Sequence, residues 1–151
     1  MSTIRISKEF SFEMAHVLEG HDGTCSQIHG HSYRLFVTIQ GRPSDNPADP
    51  KCGMVMDFGL LKSLVNQVVI SKYDHAFVMR CHAGNAAFVD SVKSKFHGFH
   101  HVDFQPTCEN LVACFAALIR EKLPEGVRLH SVRLHETSTS FAEWFAEDNE
   151  Q

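Results

Sequence analysis

Two stretches of this chain, residues 4–16 and 29–41, alternate side-chain character in the way a half-buried β-strand requires. In the first, Phe10, Phe12, Met14 and His16 share one parity, while Ser11 and Glu13 take the other. In the second, His29, His31, Tyr33, Leu35, Val37 and Ile39 share a face, opposed by Ser32, Arg34, Thr38 and Gln40. Residues 17–28 carry Gly20, Asp22, Gly23 and Ser26 and read as the loop between them. If the strands pair as neighbours, one sheet face is apolar along most of its length and lined by histidines at one end.

The rest of the chain adds helices and two further strands. Residues 42–52 are turn-rich, with Pro43, Pro47 and Pro50. Asp57 is expected to cap a helix whose buried face is Leu61, Leu64, Val65, Val68 and Val69. Residues 80–105 show no clear period. Pro106-Thr107 opens a second helix with Thr107 as cap, and Leu111, Cys114, Phe115, Leu118 and Ile119 repeat the helical spacing. Pro124-Glu125-Gly126 stops it. Residues 127–136 alternate, with Val127, Leu129, Ser131, Arg133 and His135 opposing Arg128, His130, Val132, Leu134 and Glu136, and Phe141–Phe145 is a short last strand. The expectation is an α+β fold: an antiparallel sheet covered on one side by two helices, in a single domain over 1–151.

Bulk properties narrow the function. With 43% hydrophobic and 21% charged residues, the 151-residue chain can bury a core without staples. A formal charge of −4 argues against binding a nucleic-acid backbone. No run approaches the roughly 18 apolar residues of a membrane span, and the N-terminal residues show no apolar signal segment. Five cysteines, an odd number without a Cys-x-x-Cys pair, are expected to be free thiols in a reducing cytoplasm.

Histidine is the compositional outlier, with 11 residues. His29-Gly30-His31 places two imidazoles on one strand face about 7 Å apart at Cα, and His16 lies on the matching parity of the first strand. Three histidines with an open fourth position are the pattern of a catalytic zinc site. Two alternatives stand beside it: a chance cluster in a histidine-rich chain, and a closed structural site in which Cys25 is the fourth ligand. His21, His82, His97, His100, His101 and His130 are read as partly buried or solvated residues, although His97, His100 and His101 are spaced to allow a second metal.

Cys25 lies four residues before His29, where a thiol can be shifted toward thiolate and serve as base or nucleophile. Asp74-His75 is either a proton relay, the aspartate fixing the histidine tautomer, or a surface pair. Glu136 shares the parity of Val132 and Leu134, so its carboxylate needs partners, and a ligand can supply them.

Six segments together resemble the 6-pyruvoyltetrahydropterin synthase and 6-carboxytetrahydropterin synthase family. They are Phe12-Glu13-Met14-Ala15-His16, Cys25-Ser26-Gln27-Ile28-His29-Gly30-His31-Ser32, Val55-Met56-Asp57-Phe58-Gly59-Leu60-Leu61-Lys62, Asp74-His75, Pro106-Thr107-Cys108-Glu109-Asn110-Leu111 and His135-Glu136-Thr137. The resemblance implies a T-fold: a four-stranded antiparallel sheet with two helices. It also implies homo-oligomers, trimers closing a β-barrel and stacking into hexamers, with the active site at a subunit interface.

It implies Zn2+ on His16, His29 and His31, Cys25 as the proton-transferring thiol, Asp74 and His75 as its relay, and Glu136 with Thr107 as the pterin anchor. The implied substrate is a pterin triphosphate, 7,8-dihydroneopterin triphosphate. The cysteine and the short loop before His29 favour 6-carboxy-5,6,7,8-tetrahydropterin, acetaldehyde and triphosphate as products, in queuosine biosynthesis. The alternatives are 6-pyruvoyltetrahydropterin formation and a non-catalytic zinc- or pterin-binding module. The stretch between His75 and Pro106 is longer than this resemblance implies and is expected to be a lid, an added surface element or an altered pocket wall.

Overall fold

The computed structural model describes residues 2–149, so Met1, Glu150 and Gln151, the ends of the expected 1–151 domain, lie outside it. The two alternating stretches form β1 (Ile4–His16) and β2 (His29–Gly41), paired antiparallel along their whole length from Ile4 opposite Gly41 to His16 opposite His29. Their shared face is the core: Phe10, Phe12, Met14 and His16 from β1 and Tyr33, Leu35, Val37 and Ile39 from β2 are all buried.

Asp57 caps α1 (Phe58–Val65) by accepting the amide of Gly59. The run continues through a π-helical turn at Asn66–Ile70 into a short α2 (Ser71–Tyr73). Leu61, Val65, Val68 and Val69 are buried on the sheet, with Leu64 partly so. Thr107 caps the longer α4 (Cys108–Lys122) by accepting the amide of Asn110. Leu111, Val112, Phe115, Ala116 and Ile119 face the same core. Each such leucine, valine, isoleucine or phenylalanine contributes roughly 1.5–3 kcal/mol of transfer free energy.

The four-stranded antiparallel sheet expected from the sequence is incomplete. Among the described residues the sheet has six strands, in the order β4 (Phe99–Val102), β3 (Ala76–Arg80), β1, β2, β5 (Val127–His135) and β6 (Phe141–Phe145), and it is mixed. β5 and β6 extend it antiparallel beyond β2. On the other side, β3 pairs parallel to β1 and β4 pairs parallel to β3.

Parallel neighbours need a crossover. Residues 81–98, within the stretch that shows no clear period, supply it as a single 3₁₀ turn (Ala83–Asn85) and α3 (Ala86–Lys95). Val89 of α3 packs with Val17 and Met79 in a cluster separate from the main core, while Ala76 and Val78 belong to the main core. Adjacent residues of β3 point to opposite faces, so α3 covers the face away from α1 and α4. The expectation of helices on one face only is corrected accordingly.

The simple alternation expected for residues 127–136 is also corrected. Thr38 pairs with Ser131 but Ile39 pairs with Leu129, so His130 is an extra residue in a β-bulge. The bulge reverses parity, and Leu129 is buried on the same side as Val132 and Leu134. Among the described residues no helix is long and apolar enough to cross a membrane.

Candidate metal centre

The antiparallel register sets His16 directly opposite His29, and His31 lies two residues further along β2 on the same face. One ligand nitrogen from each of the three rings lies within 4.8 Å of the other two, and among the described residues this is the one group of three or more His, Cys, Asp or Glu that could hold a metal ion. Gly30 between the two β2 histidines packs against β1: a Cβ there would meet the Met14 carbonyl oxygen at 3.3 Å.

The hydrogen bonds of the rings set their tautomers. His16 Nδ1 lies 2.8 Å from the Pro106 carbonyl and His29 Nδ1 lies 2.8 Å from the Gln27 carbonyl. A carbonyl only accepts, so each Nδ1 carries the proton and each Nε2 presents a lone pair. Those two Nε2 atoms face each other at 3.1 Å. Between neutral rings in this tautomer the contact has no proton to share, and it is the arrangement a cation between them would reconcile. His31 Nε2 is buried and has no hydrogen-bond partner among the described residues. Burial pushes the pKa of both His16 and His31 down, which keeps the rings neutral as metal ligation requires. The residues present therefore fit a metal.

Glu136, at the end of β5, reaches toward this cluster. Its Oε1 lies 3.7 Å from His16 Nε2 and 3.9 Å from His31 Nε2. It also lines a cavity of about 290 Å³ with Cys25, Thr107, Cys108 and Phe141. Cys25, Thr107 and Glu136 thus share one recess. The thiol of Cys108 in the same recess donates to the Leu134 carbonyl, and burial pushes its pKa up to about 11, so it stays protonated. Tyr33 stacks on Phe12 beneath the rings, and its buried hydroxyl has no partner among the described residues.

Asp74 and His75 stand elsewhere. Asp74 Oδ1 lies 2.9 Å from His75 Nδ1 and accepts the amide of Glu13, while the amide of His75 donates to the Glu13 carbonyl. This fastens the turn between α2 and β3 onto β1. His75 borders a second cavity, of about 390 Å³, with Glu13, Gly30, His31 and Ser32; Cys25 is not among its lining residues. His97, His100 and His101 do not assemble into a ligand set: His100 stacks edgewise on Tyr73 at 4.7 Å. Glu19 is a residue that sequence reasoning passed over, and His82 is read from the sequence only as a partly buried or solvated histidine. They meet across 63 positions, and no local pattern announces the contact.

Comparison with known proteins agrees with the geometry. Residues 5–147 match the family model described as 6-pyruvoyl tetrahydropterin synthase. The chain is 41% identical over 144 residues to the 6-carboxy-5,6,7,8-tetrahydropterin synthase of Haemophilus influenzae, covering 93% of this chain and 97% of that protein. It is 35% identical to the protein of the same name from Synechocystis, covering 93% and 92%.

In fold it is similar to an uncharacterised protein of Wolinella succinogenes, with a TM-score of 0.77 at 21% identity, covering 96% of this chain and 99% of that one. It is also similar in fold to the 6-pyruvoyl tetrahydropterin synthase of Caenorhabditis elegans, with a TM-score of 0.66 at 23% identity and 96% coverage of each chain. With the family model spanning nearly the whole sequence and relatives of this identity matched over nearly their full length, the chain belongs to the 6-pyruvoyl tetrahydropterin synthase family.

Proposed function

We propose that this chain is a zinc-dependent 6-carboxy-5,6,7,8-tetrahydropterin synthase, converting 7,8-dihydroneopterin triphosphate with release of acetaldehyde and triphosphate. The observation that carries the reading is the pair of Nε2 lone pairs meeting at 3.1 Å beside the unpartnered Nε2 of His31, with Glu136, which lines the recess of Cys25, within 3.9 Å of His16 and His31. The names of the relatives at 41% and 35% identity support this product over its sister, 6-pyruvoyltetrahydropterin. The family match over 5–147 supports one domain.

His16, His29 and His31 would hold the ion, and an all-imidazole set with borderline-soft nitrogen donors suits zinc. Zinc bound there would polarise the substrate side-chain hydroxyls and acidify the adjacent protons. The chain's own groups then do the rest. Glu136 accepts hydrogen bonds from the pterin amino and ring N–H groups, which turns the ring in the recess. Thr107 spends its hydroxyl oxygen on the helix cap and has its proton free to donate. The Cys25 thiol moves a proton at the side chain. Asp74 holds Nδ1 of His75, so the ring's Nε2 is the atom that exchanges protons.

Cys25 and His75 line different cavities of one protomer. That separation supports an active site completed by a neighbouring copy. The open edge of β1 supports the same: β3 pairs only with Met14, Ala15 and His16, and among the described residues no strand pairs with that edge from Ile4 to Phe12. An unpaired strand edge is a template for another chain, and closing a barrel removes it.

The test is mass-spectrometric identification of the product after incubation of the zinc-loaded protein with 7,8-dihydroneopterin triphosphate. We expect 6-carboxy-5,6,7,8-tetrahydropterin and an equivalent of acetaldehyde. Accumulation of 6-pyruvoyltetrahydropterin moves the assignment to the sister activity, and binding without turnover makes the chain a pterin-binding module.

A further inference from the structure

The segment 81–105, which comprises the crossover, β4 and the loop after it, supplies no metal ligand, and both of its ends close on one residue, Glu19. At its start, His82 Nδ1 accepts the amide of Gly84, which leaves the ring proton on Nε2. That Nε2 donates to Glu19 Oε2 at 2.9 Å. Asn85 donates to the same oxygen at 2.9 Å and also to the Arg80 carbonyl, while its own side-chain oxygen accepts the amide of His82. At the far end, the side-chain amide of Gln105 donates to the Glu19 carbonyl at 2.8 Å.

Glu19 sits in the loop that presents Cys25. Its neighbour Leu18 donates its amide to the Cys25 carbonyl at 3.0 Å, and Leu18 and Cys25 line the same recess. Gln105 is followed by Pro106, whose carbonyl orients His16. Hydrogen bonds and adjacent residues thus link this segment through Glu19 to the backbone of Cys25 on one side and to the His16 ring on the other.

We propose that Glu19 is a positioning residue, clasped by His82, Asn85 and Gln105, and that segment 81–105 holds the Cys25 loop at its distance from the metal centre. This rests on the reading of Cys25 as the proton-transferring thiol. Glu19 and His82 are both partly exposed, and exposed ion pairs add little to stability. The clasp therefore acts through placement, where a displacement of about 1 Å costs up to about a hundredfold in rate.

The experiment compares zinc-loaded Glu19→Ala, Glu19→Gln, Asn85→Ala and, as a control at the exposed end of α3, Lys95→Ala. It reads kcat and KM separately, bound zinc, and the rate at which iodoacetamide alkylates Cys25, followed by peptide mass. We expect Glu19→Ala to lower kcat roughly tenfold to a hundredfold with KM and zinc content held, and to change the Cys25 alkylation rate. Glu19→Gln, whose amide oxygen still accepts both donors, recovers most of kcat. Asn85→Ala gives a smaller loss in the same direction, and adding it to Glu19→Ala costs nothing further.

Wild-type kcat and alkylation in Glu19→Ala overturn the proposal, as does a Gln variant no better than Ala or a loss of zinc in step with activity. Should Glu19→Ala fail to fold, Asn85→Ala carries the same readouts and decides alone. Cys25→Ala, measured in parallel, separates the two ideas: full turnover there defeats the thiol reading, whereas a dead Cys25→Ala beside an unaffected Glu19→Ala defeats only the clasp.

Discussion

Glu136 Oε1 stands 3.7 Å from Nε2 of His16, the buried imidazole of the three. The carboxylate is outside the group of ligand atoms that converges on the metal position, and in the proposed function it faces the pterin. Replacing it by glutamine keeps the shape and removes the charge. Glu136→Gln is expected to raise KM and lower kcat/KM by roughly 10²-fold, the scale of a lost charge-assisted hydrogen bond of about 3 kcal/mol, while bound metal stays at one per chain. Metal analysis by plasma mass spectrometry checks this, and loss of the ion in the variant would make Glu136 a fourth ligand instead.

Cys25 shares a recess with Glu136 but is outside the group of atoms that converges on the metal position. Cys25→Ala is therefore expected to abolish turnover while retaining the metal. A variant that lost both together would restore the closed four-ligand alternative.

Acid should destabilise the metal-free protein. Burial lowers the folded-state pKa of His16 and His31 below the ordinary value of 6.5. The unfolded chain then binds protons first as the pH falls, so stability is intact above about 6.5 and declines below it, until the native rings also protonate. Thermal midpoints of the apo protein between about pH 8 and pH 5 should show this slope, and His16→Gln should flatten it. A midpoint that rose on acidification would contradict the assignment of neutral rings.

Assembly through the open side of β1 predicts a concentration-dependent thermal midpoint. Sedimentation velocity should find trimers or hexamers at micromolar protein. A monomer whose midpoint ignores dilution would remove the interfacial site.

Much of the site was readable because β1 and β2 obey a local rule. Alternation alone placed His16 on the face of Phe12 and Met14, and His29 and His31 on the face of Tyr33. The caps at Asp57 and Thr107 are local for the same reason. What stayed hidden was non-local or compensated. β3 buries side chains on both faces, so Val78 and Met79 give no alternation to detect. The bulge at His130 reverses parity within one strand, and a single-parity reading runs straight through it. The Glu19 clasp joins residues 63, 66 and 86 positions apart. The separation of Asp74 and His75 from the Cys25 recess follows from the parallel docking of β3, which no pattern in Asp74-His75 itself reveals.

The backbone of His75 lies at φ 59, in the left-handed region where a side chain is disfavoured by about 1–2 kcal/mol relative to glycine. The turn from α2 into β3 would be easier to make with no side chain at all. An imidazole in so unfavourable a spot, on a ring that is mostly exposed, is a burden on folding that the proposed relay role accounts for. His75→Gly should consequently melt at a higher temperature than the natural chain and turn over little or no substrate, so that robustness and catalysis move in opposite directions at one position.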